Sequence, residues 1–422
     1  MLSGFFEITG GRSLKGAIKI QGAKNSALPI LAATVLVDGE AELRNCPRLS
    51  DVDATVNILK HFGCRVSRQG HTLRVDSRGI NDTPIPDRLM HEMRSSIIFL
   101  GAVLGRFGQA VLSAPGGCDI GLRPIDLHLD AMRAFGAQIT ESHGRICCTC
   151  AQGLRGTDIT LAFPSVGATE NIMLAAVTAA GKTTVCNAAR EPEITDLADF
   201  LNTCGARITG AGSGEMVIEG VPALHGGQHA VIPDRIVAGS YLAAAAATGG
   251  EITVQNVNPS HLSTVLPVFR DAGCKIDVQA ADISLRAPMR PRAVKYIRTM
   301  PYPGFPTDLQ APVSAFLCVA EGTSVISETI FENRYKHAAG LNRLGADIRV
   351  DGRTAIIEGV PRLTGAAVES PDLRGGFALV LAGLAAEGVT RVGGIRHVER
   401  GYEDICGALT SLGAAIVKID GT

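Results

Sequence analysis

The sequence predicts an α/β fold of six repeated units, arranged as two pseudo-symmetric domains of three units each. One marker recurs six times: a helical run ends in Gly-Ala or Gly-Cys, and a short strand-like stretch follows. Its glycines are Gly63, Gly136, Gly205, Gly273, Gly345 and Gly413. A second marker is an Ala- or Leu-rich helix followed by glycine and a strand. Its glycines are Gly39, Gly108, Gly181, Gly249, Gly322 and Gly388. Both markers keep a period of about 70 residues, which indicates duplicated units.

Each part of the first marker predicts a local structure. A glycine that follows a helix closes it, because glycine enters the left-handed region of backbone conformation without steric cost. The alternation of apolar and polar residues after it is typical of a half-buried strand. Because the period is longer than that of the common solenoids, we expect a closed arrangement, with a ligand bound in the cleft between the two domains.

Composition excludes several classes of protein. The 422 residues include 40 Lys and Arg and 41 Asp and Glu, so no overall basic charge predicts nucleic-acid binding. The 11 cysteines are scattered over a long chain, and we expect free thiols in a cytosolic protein. The first residues have no basic segment or long apolar run, so we expect neither a secretory signal nor a membrane span.

Cys118 is the most distinctive candidate residue. It lies in the glycine-rich run PGGCDIGLRPIDLH, residues 115–128. Three glycines in so short a run mark a loop that takes unusual backbone angles or approaches a ligand closely. Arg123, five residues on, would favour the thiolate or bind an anion beside it. The alternative is a free cysteine in a turn.

Two cationic residues are predicted at the beginnings of helices. Lys24, followed by Asn25, lies between an alternating run and a Leu- and Ala-rich helix, where free backbone N–H groups attract anions. The alternative is a solvated lysine with an N-capping asparagine. Arg94 begins an apolar helix, where a positive charge is unfavourable unless it faces an anion or an acid. Its alternative is a surface salt bridge.

Asp308 is a candidate base. It follows Pro306 and precedes a helical run, so it is either a carboxylate held on a rigid loop or an N-cap. Three arginines also lie at the ends of segments, and each alone is typical of a surface ion pair. Together with Lys24, Arg94 and Arg123 they could form a cationic site for phosphate and carboxylate groups: Arg334, Arg374 and Arg400.

The sequence contains no complete motif for binding a metal or a common cofactor. The run Gly181-Lys182-Thr183 resembles a phosphate-binding loop but has Ala176 where that motif needs glycine. The run CCTC at residues 147–150 has no matching Cys or His cluster, so we expect it to pack in a strand. The ten histidines show no zinc spacing. We therefore predict no metal and no cofactor.

At these residues the chain resembles the enolpyruvyl transferases, and the resemblance covers residues 10–416. Its most specific elements are residues 22–25, 115–128, 165–169, 189–193, 305–308 and 331–334. The resemblance implies two inside-out α/β barrel domains built from six repeated units, with the active site in the cleft between them. It places one domain at 1–21 plus 233–422 and the other at 22–232, which carries the loop 113–124.

The resemblance also implies a reaction. The enolpyruvyl group of phosphoenolpyruvate would pass to the 3-hydroxyl of UDP-N-acetylglucosamine through a tetrahedral intermediate, with release of phosphate. This would be the first committed step of peptidoglycan synthesis, in the cytoplasm. Cys118 would be the acid on a mobile loop, or would mainly assist product release, and Asp308 would take the hydroxyl proton. Some members of the family have aspartate in place of Cys118, so the thiol predicts covalent inactivation by the epoxide fosfomycin.

The remaining roles come from the same resemblance. Lys24, Arg123 and Arg400 would clamp phosphoenolpyruvate, Arg94 would line the site, and Arg334 and Arg374 would complete the substrate-binding set. The nucleotide sugar would be held by Asn25, Arg123, Pro124, Ile125, Asp126, Leu127, Ser165, Val166, Gly167, Asp308 and Ile330. Phe163 departs from relatives that have lysine there, which puts one diphosphate contact in doubt. The alternatives are another acceptor, such as shikimate 3-phosphate, or a non-catalytic protein that binds the UDP-sugar.

Overall fold

The computed structural model describes residues 4–92, 96–113, 125–142 and 144–421. The chain groups into two compact units. We call domain I the unit whose described residues are 4–21 and 233–421, and domain II the unit formed by the described residues of 22–232. Each domain has its own continuous hydrophobic core.

The helices and strands alternate along the chain, as the repeat predicts. The helices are α1 Lys24–Ala33, α2 Ser50–His61, α3 Asp87–Glu92, α4 Phe99–Phe107, α5 Asp126–Ala134, α6 Val166–Ala176, α7 Pro192–Thr203, α8 Arg235–Ala247, α9 Leu266–Asp271, α10 Gln310–Leu317, α11 His337–Arg343, α12 Leu373–Ala385, α13 Ile395–Glu399 and α14 Ile405–Ser411. Single turns of 3-10 helix lie at Thr34–Leu36, Ser96–Ile98, Pro259–Leu262 and Thr307–Leu309.

The strands are short, mostly of three to eight residues. They are β1 Phe5–Thr9, β2 Lys15–Lys19, β3 Val37–Arg44, β4 Arg65–Gln69, β5 Thr72–Asp76, β6 Gln109–Ser113, β7 Gln138–Ser142, β8 Arg145–Thr149, β9 Asp158–Thr160, β10 Lys182–Cys186, β11 Arg207–Thr209, β12 Glu215–Glu219, β13 Leu224–Ala230, β14 Glu251–Gln255, β15 Lys275–Val278, β16 Asp282–Arg286, β17 Tyr296–Arg298, β18 Thr323–Ser327, β19 Asp347–Asp351, β20 Thr354–Glu358, β21 Ala367–Glu369, β22 Val389–Gly393 and β23 Ala415–Ile419.

These strands form one small sheet for each predicted unit. In domain II the strand orders are β13-β3-β5-β4, β6-β8-β7 and β9-β10-β12-β11. In domain I they are β2-β14-β16-β15, β17-β18-β20-β19 and β21-β22-β1-β23. Each four-stranded sheet has one outer strand that pairs in parallel, while the other strands pair antiparallel. The repeated α/β architecture is therefore confirmed.

In both domains, strands from the beginning and the end of the domain's sequence pair with one another. In domain II the last strand, β13, pairs in parallel with the first, β3. In domain I the first strand, β1, lies between β22 and β23, and β2 is the outer strand beside β14. Pairings between residues far apart in sequence thus join the first and last strands of each domain.

One sheet has only three strands in the part of the chain that the structure describes. The segment that leads into α3 runs beside β6, because Gln109 hydrogen bonds to Asp82, and Ser113 to Asp87, the first residue of α3. Prolines occupy residues 84 and 86 of that segment. Proline has no N–H group to donate, so this segment does not complete a ladder with β6.

Three inner helices form the centre of each domain's core. In domain I, α8, α10 and α12 pack on one another, and nearly every residue of each is buried. In domain II, α1, α4 and α6 take the corresponding place. A helix that is apolar on all faces is stable only when it is surrounded. Several candidate residues lie at or just before the first turns of four of these helices: Lys24 and Asn25 in α1, Ser165, Val166 and Gly167 in α6, Asp308 before α10, and Arg374 in α12.

The six glycines of the first marker all have φ between +90° and +98°. The prediction that they close helices in the left-handed region is confirmed. The ten cysteines in the described residues are free. Within the same residues, every helix is too short or too polar to span a bilayer.

Candidate active site

Asp308 lies in the 3-10 turn that precedes α10, and its side chain is 28% exposed. Its carboxylate does not cap either the turn or α10, since neither helix has a side-chain cap. The alternative interpretation as an N-cap is therefore wrong. The oxygens instead accept hydrogen bonds from two arginines of domain I.

Arg334 and Arg374 hold the two oxygens of Asp308 separately. Arg334 Nη2 lies 2.7 Å from Oδ1, while Arg374 Nε and Nη2 each lie 3.2 Å from Oδ2. Both arginine side chains are only 4% exposed, so the surface ion pair is the wrong interpretation for them. Charge-assisted hydrogen bonds of this kind fix geometry, and breaking one partner of a buried pair is costly.

Arg374 is itself oriented by its surroundings. It lies in the first turn of α12, whose N-cap, Asp372, accepts hydrogen bonds from the backbone N–H groups of residues 374 and 375. Its guanidinium lies 5.4 Å from the ring centre of Tyr402. The Tyr402 hydroxyl lies 2.9 Å from Ser240 Oγ in α8. The three inner helices of domain I thus share one polar assembly around Asp308.

Arg400 ends α13 and is half-buried. The segment that follows it is tied to Gln21, whose side-chain amide donates to Gly401 O at 3.2 Å and accepts from Glu403 N at 2.8 Å. Ile330, also half-buried, donates its backbone N–H to Glu328 Oε1 at 2.8 Å. Arg400 and Ile330 therefore each lie on a segment that side-chain hydrogen bonds hold in place.

Lys24 is the first residue of α1 in domain II. Its Nζ lies 3.3 Å from Asp51 Oδ2, and the two side chains are 13% and 2% exposed. The alternative of a solvated lysine is therefore wrong. Asn25 is exposed inside the first turn, while the N-cap is Ala23, so the N-capping interpretation of Asn25 is also wrong.

Asp196, which is 3% exposed, hydrogen bonds to the first turn of α1. The Ser26 hydroxyl donates to one of its oxygens. His229 Nε2 lies 2.8 Å from Asp196 Oδ1, and the Ile232 N–H donates to Oδ2 at 3.3 Å. A fully bonded carboxylate of this kind fixes the helix end that carries Lys24 and Asn25.

Ser165, Val166 and Gly167 form the beginning of α6. Ser165 is the N-cap, and its Oγ accepts the Ala168 N–H at 3.3 Å. Gly167 lies against the ring of His128, because a Cβ on Gly167 would be 3.1 Å from His128 Cε1. His128 lies in α5, whose first residue, Asp126, is exposed. Ile125, the N-cap of this helix, and Leu127 are half-buried.

His128 contacts the candidate residue Gly167, although it is not itself one of the residues predicted from the sequence. Burial lowers its pKa to about 4, so the ring is neutral near pH 7. Asn171 Oδ1 accepts Gly101 N–H at 2.7 Å, so its Nδ2 is the donor to His128 Nδ1 at 2.8 Å. The ring proton is therefore on Nε2, beside Gly167. The only sequence signal for His128 is its place at the end of the run 115–128.

Four predicted residues lie outside the described residues: Arg94, Cys118, Arg123 and Pro124. Phe163, the departure from relatives with lysine, is 43% exposed. Among the residues that the structure describes, no group of three His, Cys, Asp or Glu side chains could hold a metal ion.

Each domain presents its own set of groups with a definite chemistry. In domain I an accessible carboxylate, fixed by two arginines, can accept a proton from a hydroxyl group. In domain II, helix beginnings, a lysine and a neutral imidazole N–H can donate to phosphate or carbonyl oxygens.

Comparison with known proteins agrees with this chemistry. The family model for EPSP synthase (3-phosphoshikimate 1-carboxyvinyltransferase) matches residues 8–409. The chain is 54% identical over 416 residues to UDP-N-acetylglucosamine 1-carboxyvinyltransferase 2 of Caldanaerobacter subterraneus, covering 99% of this chain and 100% of that one. It is 49% identical over 419 residues to UDP-N-acetylglucosamine 1-carboxyvinyltransferase 1 of Symbiobacterium thermophilum, covering 98% and 95% of the two chains.

A solved structure shows the same fold. The enolpyruvyl transferase NikO from Streptomyces tendae superimposes with a TM-score of 0.89 at 26% identity, covering 100% of both chains. The family match spans most of the sequence, and the relatives match it nearly end to end. The chain therefore belongs to the EPSP synthase family of enolpyruvyl (1-carboxyvinyl) transferases.

Proposed function

We propose that this enzyme transfers the enolpyruvyl group of phosphoenolpyruvate to the 3-hydroxyl of UDP-N-acetylglucosamine and releases phosphate. The observation that carries the proposal is the identity of 54% over 99% of the chain to a relative named for that acceptor. The reaction is the first committed step of peptidoglycan synthesis, and we assign it to the cytoplasm. The enzyme uses two small-molecule substrates.

Asp308 is the proposed base. As the 3-hydroxyl oxygen bonds to C2 of phosphoenolpyruvate, the carboxylate takes its proton, and Cys118 supplies a proton to the methylene carbon. This addition gives a tetrahedral intermediate that still carries the phosphate. Loss of a proton from the new methyl group and departure of phosphate then restore the double bond. The exposure of Asp308, 28%, supports access to a substrate hydroxyl.

The proposed cations are Lys24, Arg123 and Arg400, which hold the phosphate and carboxylate of phosphoenolpyruvate, with Arg94 lining the site. The burial of Lys24 beside Asp51 supports a fixed point charge rather than a mobile one. The proposed residues for the nucleotide sugar are Asn25, Arg123, Pro124, Ile125, Asp126, Leu127, Ser165, Val166, Gly167, Asp308 and Ile330. Arg334 and Arg374 act on the sugar through the carboxylate that they orient.

The acceptor is tested by measuring phosphate release from phosphoenolpyruvate with UDP-N-acetylglucosamine, with shikimate 3-phosphate and with no acceptor. We expect release only with the UDP-sugar. Release with shikimate 3-phosphate instead would keep the enolpyruvyl transfer and overturn the acceptor. Folded protein that binds the UDP-sugar without any release would establish a non-catalytic binding protein.

Asp308→Asn tests the proposed base. We expect turnover to fall by roughly two to four orders of magnitude, as for loss of a general base, while UDP-sugar binding persists. Asp347→Asn is the matched control, since Asp347 is a residue of β19 whose side chain is 43% exposed and pairs with Arg349. An Asp308→Asn enzyme with normal turnover would exclude this carboxylate as the base.

A further inference from the structure

We infer that Glu328 is a positioning residue that holds the Asp308 turn and the Ile330 backbone in a single arrangement. The inference rests on the proposed function, because it acts through Asp308. Glu328 follows β18 and is 1% exposed. It is not among the residues that the sequence motifs or the family resemblance single out.

Both oxygens of Glu328 are occupied by neutral donors. Oε1 accepts from Thr299 Oγ1 at 2.8 Å, from Ile330 N at 2.8 Å and from Phe331 N at 3.2 Å. Oε2 accepts from Thr307 Oγ1 at 2.9 Å. One carboxylate thus joins three segments: the end of β17, the turn before α10 and the loop after β18.

The absence of a cationic partner separates Glu328 from an ordinary buried ion pair. No Lys, Arg or His pairs with Glu328 in the described ranges of the chain. Burying a carboxylate is unfavourable unless hydrogen bonds replace its water. All the replacement donors here come from the segments that flank the candidate site. Their arrangement, rather than charge neutralisation, is what this carboxylate maintains.

Thr307 links Glu328 to the proposed base. Its hydroxyl donates to Glu328, while its backbone oxygen accepts from Arg334 Nη2 at 3.4 Å. The same Arg334 nitrogen lies 2.7 Å from Asp308 Oδ1. The turn is therefore held on one side by Glu328 and on the other by the arginine that orients the base. Loss of the Glu328 bond therefore removes one of the two attachments of the turn that carries Asp308.

Three variants separate geometry from charge. Glu328→Ala removes all four hydrogen bonds of the carboxylate. Thr307→Val removes only the bond at Oε2 and keeps the side-chain volume. Glu328→Gln keeps an oxygen at the position that accepts three donors, and its amide nitrogen can donate to Thr307, whose hydroxyl also accepts. Gln therefore preserves the geometry and removes the charge.

We expect Glu328→Ala and Thr307→Val to lower kcat by roughly tenfold or more and to raise the KM of the UDP-sugar, with the KM of phosphoenolpyruvate unchanged. Glu328→Gln should stay within about threefold of the wild type. Ser324→Ala is the matched control, because Ser324 is a buried residue of β18 whose hydroxyl, among the described residues, bonds only to the Val294 N–H, from which it accepts. It should lower the unfolding temperature and leave kcat unchanged.

A double-mutant cycle with Asp308→Asn tests whether Glu328 acts through the base. Thr307→Val should have little further effect on kcat in that background, because residues that act as one unit are not additive. The inference would be overturned if Thr307→Val lowered kcat equally in the wild-type and Asp308→Asn backgrounds. It would also be overturned if kcat of Glu328→Gln were as low as that of Glu328→Ala. Normal kcat in all three variants would overturn it too, with the proposed function intact. A wild type inactive with every acceptor would instead refute the proposed function.

Discussion

Arg374 meets a single oxygen of Asp308 with two nitrogens, Nε and Nη2, each at 3.2 Å. Because Arg334 takes the other oxygen at 2.7 Å, the carboxylate cannot rotate without losing a charge-assisted hydrogen bond. The planar guanidinium is what makes this arrangement possible, since one side chain supplies two donors at a fixed spacing.

Arg374→Lys should therefore lower both turnover and stability. A lysine keeps the charge but supplies one ammonium group in place of the fork, at a position only 4% exposed. We expect kcat to fall by roughly tenfold to a hundredfold and stability to fall by about 2–4 kcal/mol. Kinetics and thermal unfolding measure the two effects.

The control for that variant is Arg391→Lys. Arg391 also bonds to a carboxylate, Glu7, but its side chain is 61% exposed. Exposed pairs contribute little, so both kcat and the unfolding temperature should stay at the wild-type values. If Arg374→Lys behaves like this control, the fixed carboxylate is not needed for turnover.

The repeated architecture could be predicted because its signal is local. A glycine after each helix and alternation after each glycine are visible within a few residues, and all six glycines take the predicted conformation. The pairing of β13 with β3, or of β1 with β22 and β23, has no such local signal. Those pairings depend on contacts between residues hundreds of positions apart.

The site shows the same division between local and distant information. The sequence singled out Asp308, Arg334 and Arg374 one at a time, yet nothing local shows that they share one buried assembly. Burial decided the alternatives for Lys24 and for the two arginines, and burial cannot be read from spacing alone. His128 and Glu328 were not predicted, because the side chains that fix them, Asn171 for His128 and Thr299 and Thr307 for Glu328, come from other segments of the chain.

Fosfomycin should modify Cys118 and none of the four cysteines Cys148, Cys204, Cys274 and Cys406. Burial raises the pKa of Cys148 and Cys406 to about 11 and of Cys204 and Cys274 to about 12, so these thiols hold their protons near pH 7. The thiolate is the form that opens an epoxide. Peptide mass spectrometry should find the adduct on Cys118 and on none of these four thiols.

The matched variant for this prediction is Cys118→Asp. It should give no adduct and retain turnover in the presence of fosfomycin, since some family members have aspartate there. An adduct on Cys148 or Cys406, or an unmodified and fully active wild type, would contradict the assignment of Cys118 as the reactive thiol.

Gly167→Ala should weaken binding of the nucleotide sugar. The added Cβ would lie 3.1 Å from His128 Cε1, so the ring or the first turn of α6 must shift. We expect the KM of the UDP-sugar to rise several-fold, with the KM of phosphoenolpyruvate unchanged. Gly214→Ala is the control, because its Cβ would meet no atom within 4 Å. Equal KM values in the two variants would remove Gly167 from the binding set.

Acid should destabilise domain II through His128. The pKa of this ring is about 4 in the folded chain because of burial, against an ordinary value of 6.5. As the pH falls through that interval, the unfolded chain takes up a proton that the folded chain does not. The free energy of unfolding therefore decreases as the pH falls from about 6.5 to about 4, and His128 alone contributes a loss of about 3 kcal/mol.

His128→Gln isolates this effect from other titrating groups. Glutamine keeps an acceptor for Asn171 Nδ2 and is not protonated in this pH range. The variant should therefore lose less stability between pH 6.5 and 4 than the wild type. His337, whose pKa burial also lowers to about 4, still titrates in the variant, which leaves part of the acid sensitivity in place. Urea unfolding midpoints at several pH values measure the difference, with the exposed His225→Gln as control. Parallel pH profiles for the wild type and His128→Gln would show that the His128 ring is not held neutral by the fold.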